Sequence, residues 1–219
     1  IDGKPMIQRV WQKAKEADIG PVIVACCDLK VFNLINSLGG NAIMTKPDHP
    51  SGTDRIFEAI KKYQNDNKFD SIINLQGDMP IINSTDIKKT NIPLIQGYDI
   101  GTLVTNITSE EEKDINITKV KINWIKRNNL GEAKDFYKLS KNTTKNIYHH
   151  VGIYSFRFEN LKKFVELDPS VNEIQYKLEQ WRALDSFMTI GASFVKDIPI
   201  SVDTKEDLIK VENIIKSKQ

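Results

Sequence analysis

Short apolar runs alternate with segments of helical periodicity in the first part of this chain, and no other feature constrains its fold as much. The apolar runs are short enough to be buried strands, and they lie at 21–27, 41–45 and 71–75. The segments with apolar side chains on one helical face lie at 6–14, 31–38 and 54–63. Repeated strand–helix alternation of this kind predicts an α/β protein with a mostly parallel sheet covered on both faces.

The second half of the chain has a different pattern. Strand-like segments at 100–107, 118–125 and 151–158 follow one another with less helix between them, and two further helices are predicted at 173–186 and 205–215. We expect these strands to extend the sheet in antiparallel fashion and residues 100–158 to serve dimerisation, which predicts a homodimer. A length of 219 residues with 40% hydrophobic content suits a single domain over 1–219.

Composition excludes several classes of protein. The 31 Lys and Arg residues nearly balance 29 Asp and Glu, which is too even to indicate nucleic acid or a membrane surface as a partner. No apolar run approaches the roughly 20 residues that span a bilayer, so we expect no membrane insertion. Cys26 and Cys27 are adjacent in an apolar run, where reduced, packed thiols are the simplest interpretation and a cytoplasmic location follows. The motifs of serine hydrolases, zinc sites and P-loops are absent from the sequence.

Two acidic residues follow apolar runs at places where parallel strands would end. Asp78 comes soon after the run 71–75, and Asp203 follows the run 199–202. Ligands of open parallel sheets bind beyond the carboxyl ends of the strands, so we expect both acids to end strands at one edge. They are candidate catalytic and metal-binding residues, because Mg²⁺ prefers one or two carboxylates plus substrate phosphates. Asp78 could instead only shape a turn, and Asp203 or Thr204 could only cap a helix.

Other polar groups also admit two interpretations. Small residues around Gly52 introduce a helix and could hold an anion or a nucleotide there, but Ser51 or Thr53 could equally cap that helix. Adjacent histidines at 149–150 begin a strand and point to opposite faces, so at most one of them serves a given site. Glu179 and Arg182 are three positions apart on a predicted helix, where they could simply form a surface ion pair.

Six motifs follow one another along nearly the whole chain. They are G-K-P-M-I at 3–7, H-P-S-G-T-D-R at 49–55, N-L-Q-G-D-M-P at 74–80, H-V-G-I-Y at 150–154, L-E-Q-W-R at 178–182 and V-D-T-K-E-D-L at 202–208. In this order they resemble the motifs of the CMP-KDO synthetases, the 3-deoxy-manno-octulosonate (KDO) cytidylyltransferases. The first half is shared with nucleotidyltransferases generally, whereas H-x-G-I-Y and L-E-Q-x-R are more specific to the KDO branch.

The resemblance implies a fold and a set of residue roles. The fold would be a Rossmann-like, glycosyltransferase-A-like nucleotidyltransferase fold of three layers, with its antiparallel extension used for dimerisation. Asp78 and Asp203 would be catalytic and would carry Mg²⁺. The nucleotide would lie along Ser51, Gly52, Thr53, Gln76 and Asp78. The sugar acid would face Lys138, His150, Tyr154, Glu179 and Gln180.

This sequence departs from the family pattern at several positions. Lys138 stands where the family usually has Arg, and Lys is a point charge where Arg is a bidentate fork. Met79 and Tyr176 each stand where the family has Glu, and Cys27 stands where it usually has Asp. The family's opening strand and its Arg-, Ser- and Gly-containing phosphate loop precede the G-K-P motif and are missing here. We therefore expect a chain with impaired catalysis and an unpaired strand edge at 22–25. Either the natural protein has about 20 further residues at its start, or another segment covers that edge.

The activity implied by the resemblance is the joining of KDO to CMP from CTP, with release of pyrophosphate, for lipopolysaccharide biosynthesis. Two alternatives stay open at this point. Another sugar nucleotidyltransferase, such as one for sialic acid, would share the first half of the chain, but the two more specific motifs argue against it. A non-catalytic relative that binds sugar nucleotides is the other alternative, and the missing start and Met79 are its only support.

Overall fold

A computed structural model describes residues 1–63, 69–126, 129–139 and 146–217. The helices within these ranges are α1 (Met6–Glu16), α2 (Leu29–Ser37), α3 (Gly52–Tyr63), α4 (Ser84–Lys89), α5 (Ile92–Ile95), α6 (Ser109–Lys113), α7 (Phe158–Glu166), α8 (Val171–Tyr176), α9 (Gln180–Asp185) and α10 (Lys205–Lys216). The strands are β1 (Ile23–Cys26), β2 (Asn41–Met44), β3 (Ile72–Asn74), β4 (Ile100–Thr105), β5 (Lys119–Lys126), β6 (Leu130–Tyr137), β7 (Ile147–Phe156) and β8 (Ile190–Phe194).

The chain forms two compact units. Unit 1 comprises Ile1–Lys68, Leu75–Lys88 and Pro199–Gln219, and unit 2 comprises Phe69–Asn74 and Lys89–Ile198. No helix in the described ranges is both long enough and apolar enough to cross a membrane.

Unit 1 is built on the strand–helix alternation that the sequence predicted. β1 and β2 pair in parallel, with Ile23 opposite Asn41 and Cys26 opposite Met44. Trp11, Val24 and Ile35 form a buried cluster that joins α1, β1 and α2. The two cysteines are free thiols, Cys26 buried and Cys27 exposed.

Unit 2 contains a six-stranded sheet in the order β3-β7-β4-β8-β6-β5. β5 also pairs with β7, so β7, β4, β8, β6 and β5 form a closed ring of hydrogen-bonded strands. Among the described residues of this sheet, only β4 and β8 pair in parallel, and the other pairings are antiparallel. The prediction of a mostly parallel sheet is therefore wrong for strand pairing. β3 and β4 do run in the same direction, but β7 returns between them and is antiparallel to both.

Two other predictions about single elements are also wrong. The helix expected over 173–186 is interrupted at Lys177, whose left-handed backbone (φ 54°, ψ 48°) ends α8 before α9 begins. The segment 199–202 forms no strand in the described chain. The sequence analysis missed β6, which carries polar residues such as Glu132 and Asp135, and β8, which is short and contains Gly191.

Close packing at Gly101 joins β4 to β7 and to the segment before α5. The Ser155 hydroxyl donates a hydrogen bond of 2.6 Å to the Thr90 carbonyl. A Cβ atom at position 101 would lie inside van der Waals contact with both of these oxygen atoms. The carbonyl belongs to the backbone, so it cannot rotate away as a side chain could.

We expect Gly101→Ala to destabilise the protein by about 1–3 kcal/mol, because overpacking a buried position forces the backbone to shift. The free energy of unfolding in urea measures the loss. Lys121→Ala is the control, since Lys121 is exposed on β5 and such substitutions usually change stability by less than about 0.5 kcal/mol. Equal stability of the two variants would contradict the tight packing described here.

Candidate active site

Asp78 lies in a turn of unit 1, four residues after β3 ends. The Val202 N–H donates a backbone hydrogen bond of 2.9 Å to the Asp78 carbonyl, which brings the segment before α10 alongside the turn. The Oδ1 atom of Asp78 is buried and accepts no hydrogen bond from the described residues. Neither Asp78 nor Asp203 ends a strand, so that prediction is wrong, because both stand in irregular segments that pair through the backbone.

The two carboxylates interact electrostatically. The pKa of Asp78 is raised above its usual value, mainly by burial and further by repulsion from Asp203, while a hydrogen bond from its own backbone opposes the rise. Thr204 caps α10, and its hydroxyl accepts a hydrogen bond of 3.2 Å from the Asp207 N–H. The capping alternative therefore applies to Thr204, and Asp203 lies just outside the helix with an exposed side chain.

This pair of carboxylates has the features of a site for a hard cation. An unsatisfied buried oxygen and a second carboxylate nearby are donors that Mg²⁺ accepts, with substrate phosphates completing its shell. The described residues contain no group of three or more His, Cys, Asp or Glu side chains arranged to hold a metal ion.

The residues expected to bind the nucleotide lie around the start of α3, also in unit 1. The Ser51 hydroxyl accepts hydrogen bonds from the Thr53 N–H (3.1 Å) and the Asp54 N–H (3.3 Å), so Ser51 caps the helix. Gly52 packs against the Gln76 side chain, because a Cβ atom there would lie 3.0 Å from Gln76 Oε1. The structure thus brings Ser51, Gly52, Thr53 and Gln76 together at a helix N-terminus, where backbone N–H groups favour anions.

The sugar-binding candidates of unit 2 centre on His150 in β7. His150 is 6% exposed, and its Nε2 atom lies 3.0 Å from the Thr102 hydroxyl. Its ring packs edge-on against Phe136, with 5.2 Å between ring centroids, and tilted against Tyr154 at 5.6 Å. Burial, and secondarily the neighbouring His149, lowers the pKa of His150 to about 3, so this imidazole is neutral at physiological pH.

Tyr154 and Gln180 extend this cluster. The Gln180 side-chain amide donates a short hydrogen bond to the Tyr154 hydroxyl, and Gln180 Oε1 is buried without a partner among the described residues. The pKa of Tyr154 is raised well above its usual value by burial and then by the charge of Glu179. Four of the five predicted sugar-binding residues, His150, Tyr154, Glu179 and Gln180, are therefore linked within one unit.

Lys138, the fifth, follows β6 directly, and the structure shows how its backbone is held. Lys119 is fully buried, and its ammonium group donates to the Lys138 carbonyl (2.8 Å) and to the Asp114 carbonyl. Burial lowers the pKa of Lys119, while the acidic side chains of Asp114, Glu112 and Glu111 oppose this shift.

Two supporting residues, Thr102 and Lys119, were not identified from the sequence, and Arg182 was considered there only as a possible partner of Glu179. Thr102 contacts His150, Lys119 holds the backbone at Lys138, and Arg182 is 4% exposed and forms a bidentate ion pair with Glu173 at 2.8 and 2.5 Å. The alternative of a surface ion pair for Arg182 is wrong in its location, because the Arg182 side chain is buried. The sequence pattern did not indicate the helix break at Lys177. This break separates α8 from α9, and Glu173 of α8 lies beside Arg182 of α9.

We expect the His150 ring to stay uncharged from pH 8 down to pH 5, which NMR of its ring protons would show as a flat titration curve. An unfolded chain binds a proton here below about pH 6.5 and the folded chain does not, so this site makes stability fall as the pH falls from about 6.5 toward 3. His150→Gln should reduce the difference in unfolding free energy between pH 8 and pH 5. A titration midpoint near 6.5 would contradict the buried environment.

Comparison with known proteins identifies the family. The profile of the cytidylyltransferase family matches residues 1–193. The 3-deoxy-manno-octulosonate cytidylyltransferase of Paramagnetospirillum magneticum is 40% identical over 220 residues, covering 99% of this chain and 89% of that protein. The enzyme of the same name from Rhizobium etli is 42% identical over 222 residues, with 100% and 88% coverage.

Solved structures agree with the sequence comparison. A CMP:2-keto-3-deoxy-manno-octonic acid synthetase complexed with CTP superposes with a TM-score of 0.89 at 32% identity, covering 100% of this chain and 90% of that one. A UDP-glucose pyrophosphorylase superposes with a TM-score of 0.67 at 15% identity, covering 99% and 88%, which shows the shared α/β nucleotidyltransferase fold. The chain belongs to the cytidylyltransferase family and, within it, to the 3-deoxy-manno-octulosonate cytidylyltransferases.

Proposed function

We propose that this protein transfers CMP from CTP to KDO and releases pyrophosphate, as a step of lipopolysaccharide synthesis. The structural observation that carries the proposal is the buried, unsatisfied Oδ1 of Asp78 beside Asp203. A cytidylyltransferase has to neutralise a triphosphate, and this carboxylate pair is suited to hold the cation that does so. The KDO relatives favour this acceptor over sialic acid.

The reaction is an in-line displacement at the α-phosphorus of CTP. The anomeric oxygen of the sugar forms a bond to phosphorus, the bond from the α-phosphorus to the bridging oxygen breaks, and pyrophosphate leaves with that oxygen. In this scheme the proton of the anomeric hydroxyl is released to solvent. Positioning and charge neutralisation therefore account for most of the catalysis.

Residues of unit 1 would hold the nucleotide. The backbone N–H group of Gly52 lies at the start of α3 and can donate to the nucleotide, with the Gln76 amide beside it. Asp78 and Asp203 would hold Mg²⁺, which supplies charge neutralisation on the phosphates when it is bound.

Residues of unit 2 would hold the sugar acid. Gln180 Oε1 is a buried acceptor still available to a sugar hydroxyl, and the neutral His150 can take part without placing a second positive charge beside the ligand. Glu179 can accept hydrogen bonds from further hydroxyl groups. Lys138 would face the sugar carboxylate as a point charge.

Two further properties are part of the proposal. A homodimer is supported by exposed apolar side chains within 100–158, namely Ile115, Ile125 and Leu139. A cytoplasmic location is supported by the two free thiols, Cys26 and Cys27, because disulfides are rare in that compartment.

We expect the full-length protein to release pyrophosphate with CTP and KDO and to do so much more slowly with UTP or with sialic acid. A substrate panel with a coupled pyrophosphate assay measures this directly. Equal or faster turnover with sialic acid, or with UTP in place of CTP, would refute the proposed substrates.

We expect Asp78→Asn to lower turnover by at least about 100-fold, because each 1.4 kcal/mol of lost transition-state stabilisation costs roughly tenfold. The metal-free variant should be as stable as the wild type or more stable at pH 7, since Asn removes a carboxylate whose charge is disfavoured by burial. The raised pKa of Asp78 means that this gain starts near pH 4 and grows as the pH rises.

The control for this experiment is Asp18→Asn, the same chemical change at an exposed position of unit 1 with positive φ (46°), which Asn tolerates. It should leave turnover and the melting temperature unchanged. Addition of Mg²⁺ with CTP should raise the melting temperature of the wild type and of Asp18→Asn more than that of Asp78→Asn. Near-normal turnover of Asp78→Asn would assign Asp78 to the turn alone.

A further inference from the structure

The segment that leads into Ser51 is held by side chains of the helix that follows it. We define the approach loop as residues 45–50, between the end of β2 and Ser51. Arg55, Glu58 and Lys62 are spaced three and four positions apart, so they lie on one face of α3. All three contact the approach loop or the last residue of β2.

Arg55 bonds to the first part of this loop. Its guanidinium donates to the Thr45 hydroxyl (2.9 Å), to the Lys46 carbonyl (2.9 Å) and to the Pro47 carbonyl (3.4 Å). Lys62 donates to the carbonyl of Met44 at 2.8 Å. Positively charged side chains thus satisfy backbone carbonyls at the end of β2 and in the loop that follows it.

Glu58 is the acidic centre of the arrangement. Its Oε2 atom accepts a hydrogen bond of 3.1 Å from the Lys46 N–H and a short one from the His49 ring, and its Oε1 atom pairs with Lys62 at 2.6 Å. Residues 46 and 49, each one position inside an end of the approach loop, therefore bond to one carboxylate oxygen. Hydrogen bonds from Lys62, Lys46 and His49 lower the pKa of Glu58 to about 2, so it remains ionised at any working pH.

We infer that Glu58 is a positioning residue for the nucleotide, because it fixes the path of the loop that delivers Ser51, Gly52 and Thr53 to the start of α3. The inference rests on the proposed function in one respect, namely that these residues bind CTP. Glu58 itself bonds to the loop backbone and to His49, and its effect passes through them. A loop already held in place loses less conformational freedom when the ligand binds.

The test is a split between the kinetic constants of the two substrates. Glu58→Gln keeps an oxygen that can accept from the Lys46 N–H but loses the charge that attracts His49 and Lys62. We expect the KM for CTP to rise about tenfold, with kcat within about twofold and the KM for KDO unchanged, because only nucleotide binding is affected. The Kd for CTP, measured by calorimetry without KDO, should rise by the same factor.

Two further variants separate positioning from general stability. Lys62→Met removes one partner of Glu58 at a partly exposed position and should raise the KM for CTP by a smaller factor. Ile35→Val trims a buried side chain elsewhere in unit 1 and should lower the melting temperature without changing the KM for CTP.

Each outcome has a definite meaning. An unchanged KM for CTP in both Glu58→Gln and Lys62→Met, in a wild type that makes CMP-KDO, would overturn the inference about Glu58. A comparable rise in Ile35→Val would overturn it as well, since loss of stability alone would then explain the effect. A wild type that neither binds CTP nor forms CMP-KDO would instead overturn the proposed function.

Discussion

The carboxylate of Asp78 stands where its charge is disfavoured, and the candidate active site is organised around that condition. Burial raises its pKa, Asp203 raises it further, and Oδ1 has no hydrogen-bond partner among the described residues. A divalent cation would reverse both effects, because it attracts the two carboxylates that repel each other and binds the unsatisfied oxygen. The backbone hydrogen bond from Val202 to Asp78 keeps the two segments together without any cation. The buried charge of Asp78 therefore lowers the stability of the fold, and binding of a cation at this carboxylate would offset that loss.

The start of α3 shows how a helix end can serve stability and binding at once. The Ser51 hydroxyl uses its acceptor capacity on two backbone N–H groups, and it also donates to Asp54 at 2.7 Å. The alternatives of capping and ligand binding are therefore compatible, because a cap satisfies only some of the N–H groups of the first turn. Glu58, which pairs with His49 and Lys62, also belongs to α3. The same helix therefore holds the loop before Ser51 and provides the first helical turn after it.

The candidate site residues of unit 2 are mostly buried and uncharged, unlike the carboxylates of unit 1. Its buried cluster consists of groups that are neutral at physiological pH, namely the His150 imidazole, the Tyr154 phenol and the Gln180 amide, with Glu179 beside them. Neutral groups can be buried at lower cost than charges, and they present fixed hydrogen-bond donors and acceptors, which the proposed binding of sugar hydroxyls would use. The positive charge is placed outside this cluster, at Lys138, whose backbone is secured by the buried ammonium group of Lys119.

The sequence predicted most of the strands, including β4, β5 and β7 of the closed ring, and missed β6 and β8. α1, α2, α3 and α10 follow helical periodicity, and β1, β2 and β3 are continuous apolar runs, so their positions could be read directly. β6 and β8 could not, since β8 is short and contains Gly191, and β6 carries polar residues such as Glu132 and Asp135. The site residues were found through motif order, and the structure groups them within each unit.

Lys119 shows where such reasoning ends. It lies on the same strand face as the exposed Lys121, and its buried ammonium group is held by the carbonyl group of residue 114 and by that of residue 138, which is 19 positions away in the sequence. Long-range backbone partners of this kind leave no local pattern, so buried polar supports are the part of an active site that a sequence alone conceals.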